Sequence, residues 1–172
     1  LYWWDVTLSN PSAFRTIIAR GPLADLGLFV DASTDWGIGI LLRKRWDAWQ
    51  GIGAWKGGSR HIGWLETVAL ELIIYAIEEE GLHDAYLRVH SDNQGVIGAF
   101  DKGRSRNHEM NLRIRRSHYI LAARNVTLDL TYIRSADNPA DPISRGFLPP
   151  PSARLPTKFD LPNDIVPYFR RV

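Results

Sequence analysis

The sequence predicts an α/β fold in which a mixed five-stranded sheet is flanked by helices. Three strand-like segments come first, and later strands alternate with segments of helical periodicity. A helix that joins two strands of one sheet makes them parallel, so strands one and four are expected side by side at the sheet centre. The 172 residues, 45% of them hydrophobic and 23% charged, suit one folded core.

The first three strands and the first long helix follow from residue type and spacing. Residues 27–30 are a short apolar run, and residues 36–42 and 46–55 are aromatic and aliphatic segments divided by a basic triplet. This pattern is typical of an antiparallel meander. The pattern of residues 64–80 predicts a helix that ends at Gly81. Its apolar side chains recur at helical spacing: Leu65, Ala69, Leu72, Ile73, Ala76 and Ile77.

The remaining elements alternate between the two types. Residues 85–89 predict a strand, and residues 94–100 and 107–124 predict helices. Residues 126–133 alternate apolar and polar side chains as a strand does. A last short helix is expected after Asn138.

Three segments are distinguished by composition. Residues 1–26 are rich in aromatic side chains without sustained periodicity and are expected to form a lead-in packed on the domain. Residues 27–148 are the predicted domain. Residues 149–172 predict a tail on the surface, because prolines recur throughout that stretch: Pro149, Pro150, Pro151, Pro156, Pro162 and Pro167.

The composition limits the possible chemistry. The chain has no cysteine, which excludes disulfides, thiolate zinc ligands and cysteine nucleophiles, so any metal must bind to oxygen or nitrogen. No apolar run approaches the roughly 20 residues that cross a bilayer, and the first residues lack the pattern of a secretory signal. We therefore expect an intracellular protein, of the cytoplasm or nucleus, without a membrane partner.

The net charge of +2 conceals an uneven distribution. Residues 1–100 hold 8 Lys and Arg against 12 Asp and Glu, whereas residues 101–172 hold 13 against 7. A basic second part indicates a polyanion such as nucleic acid, although a solvated surface without a binding role gives the same imbalance.

Four acidic residues stand at places where function is often found. Asp31 ends strand one and Asp92 ends strand four, and parallel neighbours would bring both carboxylates to one sheet edge. Glu66 lies on the inward face of the long helix, and Asp141 opens the last helix with Pro142 behind it. Taken singly, each acid is better explained by a structural role, as a turn residue, a helix cap, a surface ion-pair partner or a partner of the helix dipole.

Convergence of these acids would require a cation. Two like unit charges about 4 Å apart repel by about 4 kcal/mol at an effective dielectric constant of about 20. Several carboxylates at one edge must therefore be protonated or neutralised. A set of oxygen ligands selects Mg²⁺ or Mn²⁺ and disfavours zinc.

Four motifs, in this order within residues 26–146, carry a family resemblance. They are Val30-Asp31-Ala32-Ser33, Trp64-Leu65-Glu66 with Ala69, Ser91-Asp92-Asn93-Gln94, and Asn138-Pro139-Ala140-Asp141-Pro142-Ile143-Ser144-Arg145. The chain resembles the ribonuclease H domain of retroelement reverse transcriptases, of the long-terminal-repeat or DIRS-like kind.

This resemblance implies a ribonuclease H-like fold and an endonuclease that cuts the RNA strand of RNA/DNA hybrids, with a polymerase domain of the same polyprotein as partner. Asp31, Glu66, Asp92 and Asp141 match the family's metal-binding acids. They would hold two Mg²⁺ ions, with Mn²⁺ as a substitute and Asp31 between the ions. The implied products carry a 5′-phosphate and a 3′-hydroxyl.

The resemblance also implies contacts to the hybrid. Ser33, Asn93 and Gln94 would reach ribose 2′-hydroxyls or base edges in the minor groove, with a helix cap as the alternative for Asn93. The basic residues Lys102, Arg104 and Arg106, together with Asn107, would grip phosphates of the DNA strand. The same phosphate contact is considered for Arg113, Arg115 and Arg116, with a solvated helix face as the equal alternative.

The closing motif departs from the family in one respect. Many members carry a histidine in the loop before the last acid, whereas this loop reads Arg134-Ser135-Ala136-Asp137-Asn138. Arg134, Asn138 or His108 would have to take its role. Arg134, Asn138 and Arg145 are further candidates for nucleic-acid contact. Two other functions stay open: a catalytically silent scaffold that binds nucleic acid or protein, and a related nuclease of the DDE or DEDD type.

Overall fold

The computed structural model describes residues 2–9, 21–52, 55–156 and 158–172. The strands in these ranges are β1 (Leu23–Ala32), β2 (Gly37–Leu42), β3 (Arg45–Gly51), β4 (Tyr86–Ser91), β5 (Thr127–Tyr132) and β6 (Phe169–Arg171). The helices are α1 (Tyr2–Leu8), α2 (Ile62–Glu79), α3 (Gln94–Asp101), α4 (His108–Ala123) and α5 (Asp141–Ser144).

All six described strands form one mixed sheet in the order β5-β4-β1-β2-β3-β6. Strands β1, β2 and β3 make the expected antiparallel meander, and β4 lies parallel to both β1 and β5. The α/β class with a mixed sheet is thus confirmed, as is the adjacency of the first and fourth strands. Parallel β1 and β4 direct their carboxyl ends to the same edge.

Strand β1 begins earlier than predicted, at Leu23 instead of Gly27. Its pairing with β4 shifts register between Ala24 and Leu28, and Gly27 between them has a φ of +69°. A glycine in the left-handed region is typical of a bulge that interrupts the alternation of a strand. That interruption explains why the pattern of residues 23–26 does not look like a strand in the sequence.

The sheet has a sixth strand where a proline-rich tail was expected. β6 pairs antiparallel with β3, and the segment before it stacks Phe159 on Trp49 with ring centroids 5.9 Å apart. The buried carboxylate of Asp47 in β3 accepts hydrogen bonds from Arg154 at 3.2 Å and from Arg171 at 2.9 Å. These contacts fix the segment along an edge of the sheet that would otherwise be unpaired.

The lead-in differs from its prediction where it can be seen. Residues 2–8 form α1, although their sequence shows no sustained helical periodicity. The side chains of Tyr2 and Trp4 are exposed. The expectation that the lead-in packs on the domain falls mainly on residues 10–20, which lie outside the described part of the chain. Within that part, no helix is both long and apolar enough to span a membrane.

An ionic network joins the two long helices beneath the sheet. Glu71 of α2 is fully buried and forms ion pairs with Arg113 and Arg116 of α4, the Arg113 pair at 3.7 Å. Both arginines also bind Asp164 of the C-terminal segment. Neither a phosphate grip nor a solvated face therefore describes Arg113, which is buried. Arg116 is partly exposed and Arg115 is exposed.

The shortest helix, α5, lies directly against strand β2. A Cβ atom at Gly39 would stand 2.7 Å from the backbone nitrogen of Ser144 and 2.9 Å from the carbonyl oxygen of Ala140. Only a residue without a side chain permits this approach. Because Gly39 is the register partner of Asp31, the contact brings α5 to the position of the first predicted acid.

Candidate metal centre

Three of the four predicted acids meet at the carboxyl edge of the sheet. Asp31 is near the end of β1, Asp92 directly follows β4, and Glu66 projects from α2. Each offers a carboxylate oxygen, and these oxygens lie within 4.8 Å of one another. The parallel pairing of β1 and β4 places the two aspartates together, and the burial of α2 against the sheet adds the glutamate.

The environment of this cluster disfavours negative charge. Asp31 is 2% exposed and Glu66 is 4% exposed. Burial, reinforced by repulsion from Asp92 and Asp141, raises the pKa of Asp31 to about 7, although a hydrogen bond from Ser144 opposes the shift. Burial and the charges of Asp31 and Asp92 likewise hold the pKa of Glu66 well above its usual value.

The donor set fits a divalent cation. Glu66 accepts a backbone hydrogen bond from Ala32, but its buried Oε2 finds no hydrogen-bond partner among the described residues. A buried carboxylate oxygen without a partner is costly, and a hard cation would satisfy it while neutralising its neighbours. Oxygen-only ligands are those preferred by Mg²⁺ and Mn²⁺.

Asp141 is placed differently from the other three acids. It stands outside the group that shares the 4.8 Å distance, and its carboxylate accepts hydrogen bonds from Arg145 at 2.9 to 3.1 Å and from Ser135 at 3.2 Å. These partners, Arg145 first, lower the pKa of Asp141. The structure thus brings Asp141 close enough to repel Asp31 but pairs it with an arginine.

An open cleft of about 760 Å³ extends from the acids. Its lining includes four predicted contact residues: Ser33, Asn93, Gln94 and Arg145. The side chain of Asn93 caps α3 by accepting a hydrogen bond from Val96 at 3.1 Å, so the helix-cap interpretation applies to it. Tyr132 also lines the cleft, and sequence reasoning missed it although it ends the strand beside β4.

A second cavity, of about 830 Å³, shares Gln94 with the cleft. The predicted basic residues Lys102, Arg104 and Arg106 line it, and all three are exposed. Gln94 therefore stands between the acidic cluster and a basic groove. The basic groove and the cleft of the acidic cluster are therefore neighbours on the surface.

Asn107, predicted together with Lys102, Arg104 and Arg106 to contact phosphates, has a structural role. Its side chain caps α4 by accepting a hydrogen bond from Met110 at 3.1 Å. Its amide nitrogen lies 3.1 Å from Nε2 of His61, and His61 itself caps α2 by accepting from Gly63 at 3.0 Å. The amino ends of the two long helices therefore meet at this pair of caps.

The loop before the last acid contains one correction. Arg134 is exposed and pairs with Asp137 at 2.6 Å, but Asn138 is only 3% exposed. Its amide donates hydrogen bonds to the carbonyl of Val30 at 3.0 Å and to Asp31 at 3.4 Å. A residue so enclosed has no surface for nucleic acid, so the predicted contact for Asn138 is wrong, and it supports the cluster from behind.

We expect the metal-free protein to lose stability as the pH rises from about 4 to about 7. The folded state holds a proton on Asp31 up to a pKa of about 7, whereas the ordinary value is 3.8. Between these values the folded protein binds more protons than the unfolded chain, so the free energy of unfolding falls with rising pH. Urea unfolding in EDTA measures this slope. Asp31→Asn should flatten it, and an unchanged slope in that variant would contradict the assignment.

Comparison with solved structures finds chains that resemble this one. A ribonuclease H1 from the halophilic archaeon Halobacterium salinarum NRC-1 superposes with a TM-score of 0.47 and 16% sequence identity, over 69% of this chain and 91% of that chain. No family model matches the chain, and no curated protein matches it. At this identity and TM-score, the likeness does not assign the chain to a family.

Proposed function

We propose that this protein is a ribonuclease H: a metal-dependent endonuclease that cleaves the RNA strand of RNA/DNA hybrids. The observation that carries the proposal is the meeting of Asp31, Glu66 and Asp92 at the carboxyl edge of the sheet, at the head of an open cleft. The sequence motifs around these acids support it. We further propose that the activity belongs to a retroelement reverse transcriptase with a polymerase domain as partner, because the same motifs resemble those of that family.

Asp31, Glu66 and Asp92 would hold two Mg²⁺ ions, or Mn²⁺ in their place. When bound, such ions supply Lewis acidity to the attacking water and to the departing 3′ oxygen, which leaves a 5′-phosphate and a 3′-hydroxyl. The chain contributes position: Asp31 and Glu66 are buried, so their carboxylates are fixed before substrate arrives. Asp92 is partly exposed and lines the cleft.

Asp141 would become a fourth metal ligand if its carboxylate left Arg145 for a bound ion. Its pair with Arg145 has the i,i+4 spacing of a surface helix pair, and the arginine side chain is 52% exposed. Exposed pairs of this kind contribute about 1 kcal/mol or less, so the exchange costs little. Arg145 also lines the cleft, and a released guanidinium suits a phosphate of the bound strand.

The lining of the cleft suits a hybrid substrate. Ser33 accepts a hydrogen bond from the backbone of Asp35 at 3.3 Å, which leaves its proton for donation to a ribose hydroxyl. Gln94 lines the same cleft and is exposed. Beyond Gln94, the groove of Lys102, Arg104 and Arg106 would bind phosphates of the DNA strand.

Cleavage of a labelled RNA/DNA hybrid tests the proposal. We expect the RNA strand to be cut internally with Mg²⁺ or Mn²⁺, with 5′-phosphate ends, and to remain intact in EDTA. Duplex DNA of the same sequence should remain uncut, because the expected ribose contacts need 2′-hydroxyls. Hybrid that stays intact in both metals over a range of salt concentrations would refute catalysis by this chain.

A second candidate is a silent ribonuclease H-like scaffold that binds nucleic acid. The observation that favours it is the Asp141–Arg145 pair, which leaves three acids in the cluster instead of four. Such a scaffold would bind the hybrid without cutting it. A binding measurement beside the cleavage assay therefore separates the two candidates.

A further inference from the structure

Two buried polar side chains converge on Asp31 from the segment that ends in α5. Ser144 is fully buried, and its hydroxyl donates a hydrogen bond to Oδ2 of Asp31. Asn138 donates to Oδ1 at 3.4 Å. The orientation of the Asn138 amide follows from its other bonds, since its oxygen accepts from the backbone of Ala140 at 3.1 Å. Both carboxylate oxygens of Asp31 thus have a donor behind them.

This arrangement depends on the close approach of α5 to the sheet. Gly39 faces Asp31 across the β1–β2 pair, and the space left by its missing side chain is filled by the backbone of α5. The approach carries Ser144 to the carboxylate of Asp31. A carboxylate oxygen that accepts one hydrogen bond retains a second lone pair, which is free to face the cluster.

Ser144 has two acceptors within reach. Its oxygen also lies 2.9 Å from the carbonyl oxygen of Asp141, three residues earlier in the same helix. A hydroxyl has one proton and donates to one acceptor at a time, and a carboxylate is a stronger acceptor than a carbonyl. A hydrogen bond to the carbonyl of Asp141 would stabilise only the helix, whereas the hydrogen bond to Asp31 holds a carboxylate of the acidic cluster.

We propose that Ser144 is a positioning residue for the metal centre: its hydroxyl fixes the rotation of the Asp31 carboxylate so that its free lone pairs point toward Glu66 and Asp92. The inference rests on the proposed function, because it assigns Asp31 as a metal ligand. Hydrogen bonds to a ligating carboxylate are a general device for orienting it, and their loss weakens metal binding by about 10- to 100-fold.

Mn²⁺ binding to the full chain without nucleic acid tests the inference. Free Mn²⁺ is measured by electron paramagnetic resonance for wild type, Ser144→Ala and Ser144→Cys. We expect the dissociation constant to rise by about 10- to 100-fold in the alanine variant, and by less in the cysteine variant because a thiol is a weak donor. Ser117→Ala is the matched control, since Ser117 is a buried serine of α4, and its Mn²⁺ affinity should stay at the wild-type value.

Thermal unfolding in EDTA, run on the same samples, separates orientation from stability. A Ser144→Ala variant that unfolds at lower temperature but binds Mn²⁺ like wild type would show that the hydroxyl serves only α5, which overturns the inference. If the alanine variant does not fold, wild-type affinity in Ser144→Cys overturns it equally. Wild-type protein that fails to bind Mn²⁺ would instead refute the proposed metal site itself, so the two failures are distinguishable.

Discussion

Asp92→Asn is expected to lower hybrid cleavage by more than about 100-fold, since even the loss of a partner behind a metal ligand costs about 10- to 100-fold. The fold should persist, because asparagine has nearly the same shape and Asp92 is only partly buried. The metal-free variant should even be somewhat more stable than wild type. The charge of Asp92 raises the pKa values of both Asp31 and Glu66, so its removal relieves repulsion in the folded state.

Single-turnover cleavage and thermal unfolding in EDTA measure the two effects on the same preparation. Asp101→Asn is the matched control, because Asp101 is an exposed aspartate at the end of α3, and it should cleave like wild type. A variant that loses activity without losing stability has lost a functional group. If Asp92→Asn cleaved the hybrid at the wild-type rate, the acidic cluster would not be the catalytic site.

Arg113→Ala is expected to lower the free energy of unfolding by about 3 kcal/mol, the lower end of the cost of breaking a buried ion pair. Arg113 is 1% exposed and forms ion pairs with Glu71, which is fully buried, and with Asp164, which is exposed. Its removal leaves a cavity and takes one cation from Glu71. The lower end applies because Arg116 still contacts Glu71.

Urea unfolding at pH 7 measures this loss. Arg115→Ala removes the same side chain from an exposed position of the same helix, and its effect should stay within about 0.5 kcal/mol. The comparison isolates burial, because helix, residue type and charge are matched. Equal effects of the two substitutions would contradict the network.

The sequence predicts the sheet and the acid cluster because both depend on local signals. Residues 126–133 alternate strongly, and the buried face of α2 is evident from its spacing. Asp31 and Asp92 follow from a general rule, that parallel neighbours end at one edge of a sheet. With the long helix placed beside that edge, Glu66 on its inward face joins them.

What the sequence could not predict depends on contacts between distant residues. β6 is three residues long and shows no alternation, and its place is set by Asp47 more than a hundred positions earlier. Asn138 stands before a proline and is typical of a turn, yet the strand end buries it. Nothing near Ser144 in the sequence indicates Asp31, because only the absence of a side chain at Gly39 allows them to meet.

The C-terminal segment also determines how this domain can be shortened. A boundary drawn at residue 148, where the composition changes, would remove Arg154 and Arg171 and leave the enclosed carboxylate of Asp47 without those counterions. It would also uncover the backbone of β3, a site where other chains can add as strands. Recombinant versions that end at residue 148 should therefore self-associate. In versions that continue to Val172, β6 covers the edge of β3.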